Sequence, residues 1–113
     1  MPKGPFKSLV VLGESTVEGG GGRAQTGERW PDLLWGLLET AQEESVAYRN
    51  AGVGASVVSP QSPGYDASTK PSAEERIESE VIAHRPDLII IAYELNDMRA
   101  GMTPDAFAVE MKA

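Results

Sequence analysis

Three short stretches hold the residue types that acyl transfer needs: Gly13-Glu14-Ser15, Val53-Gly54-Ala55 and Glu94-Leu95-Asn96-Asp97. Ser15 offers an oxygen nucleophile. Gly54 and Ala55 offer backbone N–H groups with nothing bulky over them. Asn96 offers a side-chain amide donor. A serine flanked by two independent donors is the outline of a nucleophile with an oxyanion hole, where fixed N–H groups meet the charge that develops on a carbonyl oxygen. Each residue also has a plain structural reading. Serine is common in turns after strands, asparagine caps helices and closes Asx turns, and Asp97 reads as an acceptor that holds its own loop.

The elements around these stretches place all three on one edge of a sheet. Lys7 to Gly13 is a continuous, partly β-branched apolar run and reads as a buried strand. Gly19 to Gly27 is too rich in glycine for a helix. From Arg29, residues Trp30, Leu33, Leu34, Leu37, Leu38 and Ala41 recur at helical spacing, with Pro31 in the first turn. Ser45 to Val53 reads as a second strand, and Val57 to Lys70 as a long irregular loop. Pro71 to Arg85 reads as a helix with Ile77, Val81 and Ile82 inward, closed by Pro86. Asp87 to Tyr93 is the most hydrophobic strand and is expected to be central and covered on both faces. Thr103 caps a third helix with Pro104 at its first position. This strand–helix alternation favours parallel strands with helices on both faces, in a single domain of residues 1–113. Ligands in such sheets sit at the carboxyl ends of the strands, where Ser15, Gly54 and Asn96 fall.

Composition narrows the partners. Ten Lys and Arg against 17 Asp and Glu give a net charge of −7, which argues against nucleic acid or an anionic membrane surface. The longest apolar run, Leu88 to Tyr93, is far too short to span a bilayer. The first residues lack the long apolar region and cleavage site of a secretion signal, so a cytoplasmic protein is expected, with a trimmed signal left open. No cysteine is present, so thiolate metal sites and disulfides are excluded. Glu14, Glu18 and Glu94 could hold a hard cation, but scattered solvated carboxylates are the plainer reading. Gly19 to Ala24 fits a Gly-x-Gly-x-x-Ala spacing, yet it starts six residues past the strand with no helix tight behind it. A loop beside Ser15 that shapes substrate access is the preferred reading of these glycines. No cofactor is expected.

At these blocks the sequence resembles the SGNH (GDSL-type) hydrolases. The Gly-Asp-Ser block of that family corresponds to Gly13-Glu14-Ser15-Thr16-Val17-Glu18-Gly19, the second block to Asn50-Ala51-Gly52-Val53-Gly54-Ala55-Ser56, and the Gly-x-Asn-Asp block to Glu94-Leu95-Asn96-Asp97. The resemblance runs over essentially the whole chain. It implies a flavodoxin-like three-layer α/β/α sandwich, here three parallel strands in the order 2-1-3 with about three helices. It also implies Ser15 as nucleophile, with oxyanion donors from the Ser15 N–H, the second-block glycine and the Asn96 amide. That glycine is Gly54, or the position is Ala55 if spacing is kept strict.

Four departures qualify it. Glu14 stands where the family has aspartate, and Glu94 where it has glycine. The second block is spaced differently, as noted. The family's general base is a histidine in a later Asp-x-x-His block, and no histidine follows Asn96; the one present, His84, falls at the amino end of the third strand. The chain therefore reads as the N-terminal part of such a domain, from an esterase acting on small acyl esters such as acetylated carbohydrate. The alternative is a non-catalytic interaction module or an inactive fragment. The apolar edge of Asp87 to Tyr93 is expected to pair with a second copy or with a separate C-terminal segment.

Overall fold

A computed structural model describes residues 5–20 and 25–112. Three strands, β1 (Ser8–Gly13), β2 (Ala47–Gly52) and β3 (Leu88–Ala92), form one parallel sheet in the order β2-β1-β3. Strand β1 is central because both neighbours shield it, and Leu9, Val10, Val11 and Leu12 are essentially without solvent contact. Side chains alternate across a strand. Val10 and Leu12 therefore join one core cluster with Ala51, Val58, Val81 and Tyr93, while Leu9 and Val11 join another with Val17 and Val46. Two cores on the two faces of one sheet make the expected three-layer α/β/α arrangement.

Helix α2 (Trp30–Gln42) covers the second cluster. Its packing face is Trp35 and Leu38 rather than the whole expected stripe, and Trp30, Leu33 and Leu37 are exposed. Trp35 fixes the rotation: its indole N–H donates to the Val46 carbonyl at 2.8 Å, and its ring stacks on Tyr48 at 4.9 Å. On the other face lies α4 (Ala73–Glu80), capped by Ser72 and Glu75 bonding each other's turn. The expected helix over Pro71–Arg85 is thus shorter at both ends. It breaks at Val81 into a 3-10 turn, Ile82–His84, which turns Ile82 outward to 51% exposed against the inward placement expected of it. Helix α6 (Pro104–Lys112) starts as anticipated, with the Thr103 hydroxyl accepting the Ala106 N–H at 3.2 Å.

Strand β3 lies at the sheet edge, as the order 2-1-3 anticipated, but it is not covered on both faces: Ile89 and Ile91 are 44% and 39% exposed. Its opposite-facing residues, Leu88 and Ile90, do pack on the second cluster. Three single-turn helices were not anticipated: α1 (Ser15–Glu18), α3 (Tyr65–Ser68) within the long loop, and α5 (Leu95–Arg99). Among the described residues no helix is long and apolar enough to cross a membrane.

Candidate functional site

Strand β1 ends at Gly13, and the chain turns at once into α1. Glu14 is the N-cap: its Oε1 accepts the Thr16 N–H at 3.1 Å and also the Thr16 hydroxyl. Ser15 is the first helical residue, partly exposed, and its hydroxyl bonds to none of the described residues. Two glycines let α1 lie against the strand ends. A Cβ at Gly13 would overlap Val17 and come 2.8 Å from the Ala92 carbonyl; one at Gly52 would overlap the Glu18 N–H and reach 2.9 Å from its Cα. Gly13 and Gly52 are register partners, so the space is cleared on two adjacent strands at one level. Asn50 fastens the contact, donating to the Val17 carbonyl at 2.8 Å and accepting the Gly52 N–H at 2.9 Å.

The loops after β2 and β3 meet beside this turn. The Gly54 N–H donates to Oε2 of Glu18 at 2.9 Å, so the donor expected to face an oxyanion faces a carboxylate of α1. Ala55, the alternative donor, has a left-handed backbone with φ 65°. The Asn96 amide donates to the Ser56 carbonyl at 3.0 Å, which ties the β3 loop to the β2 loop and occupies one of its two N–H bonds. Asp97 is wholly buried, and both its oxygens accept the Val58 N–H, at 3.2 and 3.1 Å. Asp97 is thus the loop-holding acceptor that its position suggested. Ser15, Gly54 and Asn96 all stand at the carboxyl edge of the sheet, joined through Glu18 and Ser56. His84 lies at the opposite edge, lining a groove with Ser8, Ala47 and Pro86.

Beneath these loops sits Arg76, which sequence reasoning missed. It is 6% exposed and donates to the carbonyls of Ala51 at 3.0 Å and Gly13 at 3.1 Å and to the Tyr93 hydroxyl. The Tyr93 hydroxyl also bonds the Ser56 hydroxyl at 2.9 Å. One guanidinium thereby holds the ends of β1 and β2 and the residue after β3. An arginine among the glutamates of α4 reads as a solvated face, and nothing local in the sequence signals that it is buried.

A cavity of about 300 Å³ opens between α1 and the residues after β3, with Glu14, Thr16, Tyr93, Glu94 and Met98 in its wall; Ser15 itself does not line it. Glu94 has φ 141° and ψ −44°, a conformation suited to glycine that costs another residue about 1–3 kcal/mol. Glu94 is the position at which the resemblance expects glycine, and its backbone has glycine-type geometry. Residues Gly21 to Ala24, part of the glycine loop given a role in access, lie outside the described residues. Among those described, no three acidic or histidine side chains converge as a metal site would require.

A parallel β2-β1-β3 sheet between two helical layers, with its candidate residues after each strand, is the α/β fold of the SGNH hydrolases. The solved structures it is similar to are particular esterases and lipases. One, described as a lipolytic protein of the G-D-S-L family from Desulfitobacterium hafniense DCB-2, is 20% identical with a TM-score of 0.65. Its alignment covers 94% of this chain and 49% of that one. An acetyl xylan esterase from Geobacillus stearothermophilus, in a variant form, is 20% identical with a TM-score of 0.65, covering 94% and 51%. A lipase/acylhydrolase from Enterococcus faecalis is 21% identical with a TM-score of 0.63, covering 94% and 49%. The chain spans about half the length of each. No family model and no curated protein matches.

Proposed function

We propose that this chain carries the nucleophile half of a serine esterase that hydrolyses small acyl esters. Ser15 Oγ attacks the ester carbonyl carbon. Its proton passes to a base that these residues do not supply, and the carbonyl oxygen becomes an oxyanion held by the N–H groups of Ser15 and Gly54 and the Asn96 amide. The alcohol leaves with a proton, and water then releases the acid from the acyl-serine. The observation that carries the reading is the meeting of all three strand-end loops at the carboxyl edge, with α1 seated against the paired glycines Gly13 and Gly52. A short acyl group such as acetyl is the favoured substrate. One similar structure is an acetyl xylan esterase.

For this chemistry Glu18 must give up the Gly54 N–H when an oxyanion forms. That same contact favours a second reading, a non-catalytic interaction module whose donors serve only its own loops. Hydrolysis of p-nitrophenyl acetate decides between them. The 113 residues alone should be a very poor esterase. In a polypeptide that carries both halves of the fold, Ser15→Ala should abolish turnover, and Asn96→Ala should lower the rate on the order of 10²-fold. Full turnover by a well-folded Ser15→Ala protein would remove Ser15 as nucleophile, and absence of turnover in the well-folded protein with both halves and Ser15 intact would leave the interaction module standing.

A further inference from the structure

Arg76 occupies an unfavourable place. It is buried, forms no ion pair among the described residues, and bonds only to neutral acceptors. Its Nε is buried as well and has no hydrogen-bond partner among them. A cation so placed loses more hydration than neutral acceptors replace, and apolar side chains of similar volume are often as stable in such positions. Stability alone does not account for this guanidinium, but the groups that it joins do.

One nitrogen, Nη2, serves both the Gly13 carbonyl, at 3.1 Å and two residues before Ser15, and the Tyr93 hydroxyl. From Tyr93 the bonds run in one direction. The Ser56 hydroxyl has a single proton and gives it to the Pro71 carbonyl at 2.8 Å, so in its 2.9 Å contact with Tyr93 it accepts. Tyr93 therefore accepts from Arg76 and donates to Ser56. Both ends of Ser56 are fixed, the hydroxyl by Tyr93 and Pro71, the carbonyl by the Asn96 amide at 3.0 Å. Each bond in a buried chain of this kind polarises the next. The chain begins at the strand end that leads to Ser15 and finishes on the amide of Asn96.

We propose that Arg76 is a positioning residue: through Tyr93 and Ser56 it sets where the Asn96 amide stands relative to the Ser15 turn. The proposal rests on the esterase reading for what that amide does, but not for where it stands. The planar fork suits this task, because Nη1 holds the end of β2 at the Ala51 carbonyl while Nη2 bridges the ends of β1 and β3.

Amide NMR on the isotopically labelled 113-residue chain reads the link directly. Tyr93→Phe removes one oxygen from the middle of the chain of bonds. Hydrogen exchange of the Asn96 side-chain amide should quicken about fivefold, the equivalent of one lost neutral hydrogen bond. The Trp35 indole N–H, bonded to the Val46 carbonyl on the opposite face of the sheet, should keep its rate. Ser56→Ala should act alike and keeps the test decisive if Tyr93→Phe fails to fold. Arg76→Lys keeps the charge without the fork and should also quicken the exchange. An unchanged Asn96 rate in any of these variants when folded, or an equal rise at Trp35, would overturn the proposal. Hydrolysis of p-nitrophenyl acetate by a polypeptide with both halves then separates positioning from a purely structural role. Tyr93→Phe should lower kcat about tenfold with KM unchanged, and should add nothing in an Asn96→Ala background. Equal losses in both backgrounds would overturn the positioning role. Absence of turnover with Ser15 and Asn96 intact would sink the esterase reading instead, and the exchange rates would still decide whether Arg76 governs Asn96.

Discussion

Asp32 and Glu14 are both buried carboxylates, one on the β2 flank of the central strand and one on the β3 flank, and their surroundings differ. Asp32 accepts five hydrogen bonds: from the Gly27 N–H, the Arg29 N–H, Arg29 Nε and Nη2, and the Tyr48 hydroxyl. Burial alone would raise its pKa, but the Arg29 and Tyr48 hydrogen bonds and the Gly27 N–H outweigh burial and hold it at about 2. Burial and the bond to Asp32 push Tyr48 up to about 12. Glu14 has donors on one oxygen only. The sheet edges differ in the same sense. Strand β2 carries Arg49 paired with Glu80 at 2.5 Å, whereas β3 presents exposed isoleucines. The β2 flank is closed on itself, whereas the β3 flank leaves an apolar edge exposed and one carboxylate oxygen without a partner among the described residues.

The largest test of this contrast is the state of association. An apolar edge without lysine or proline recruits another strand, and the simplest closed result is a two-fold pair joined antiparallel through β3. The chain should sediment as that pair at micromolar concentration, and Ile89→Lys should return it to a monomer. A folded wild-type monomer would show that β3 is protected, and the contrast between the edges would fall. Next in size, Asp32→Ala should cost about 3 kcal/mol in urea denaturation, because it strands Arg29 and Tyr48, whereas Glu14→Gln should cost under about 1 kcal/mol. A reversed order would invert the comparison.

Acid offers a third probe. The folded pKa of Asp32 lies below its unfolded value, so its contribution is complete above about pH 4 and is lost as pH falls toward 2. The loss should be about 2 kcal/mol. In Asp32→Asn this part of the pH dependence should vanish, and an unchanged acid limb would place the titrating group elsewhere. A further effect belongs to Glu94→Gly, which should stabilise the fold by about 1 kcal/mol by thermal melting. Destabilisation there would mean that the Glu94 side chain has a partner the contrast denies it.

The strands were legible because their apolar runs are unbroken and bounded by glycine, and that fixed which residues follow each strand. Ser15, Gly54 and Asn96 could therefore be assigned to one edge from the sequence. Their hydrogen-bond partners could not. Helices α1 and α5 are single turns, too short for any periodicity to show. The Glu18–Gly54 bond joins residues 36 apart, so nothing local announces it. Hydrophobicity also misled where it had two possible uses. Ile89, Ile91, Leu33 and Leu37 look like core residues, and the described residues leave them exposed. Arg76 failed in the other direction, as a charged side chain buried by carbonyl acceptors supplied from two strands.

The sheet order has a consequence in time. Strand β1 is the most completely buried element, yet it precedes both partners: Leu9 pairs with Tyr48 and with Leu88, 39 and 79 residues later. Synthesis at about 5–20 residues per second delivers the second partner roughly 4–16 seconds after β1. Through that interval Leu9-Val10-Val11-Leu12 has no sheet to join, and its backbone pairs only with whatever strand arrives first. During translation, holdase chaperones should therefore crosslink to this segment, and the signal should fall once Leu88–Ala92 has left the ribosome.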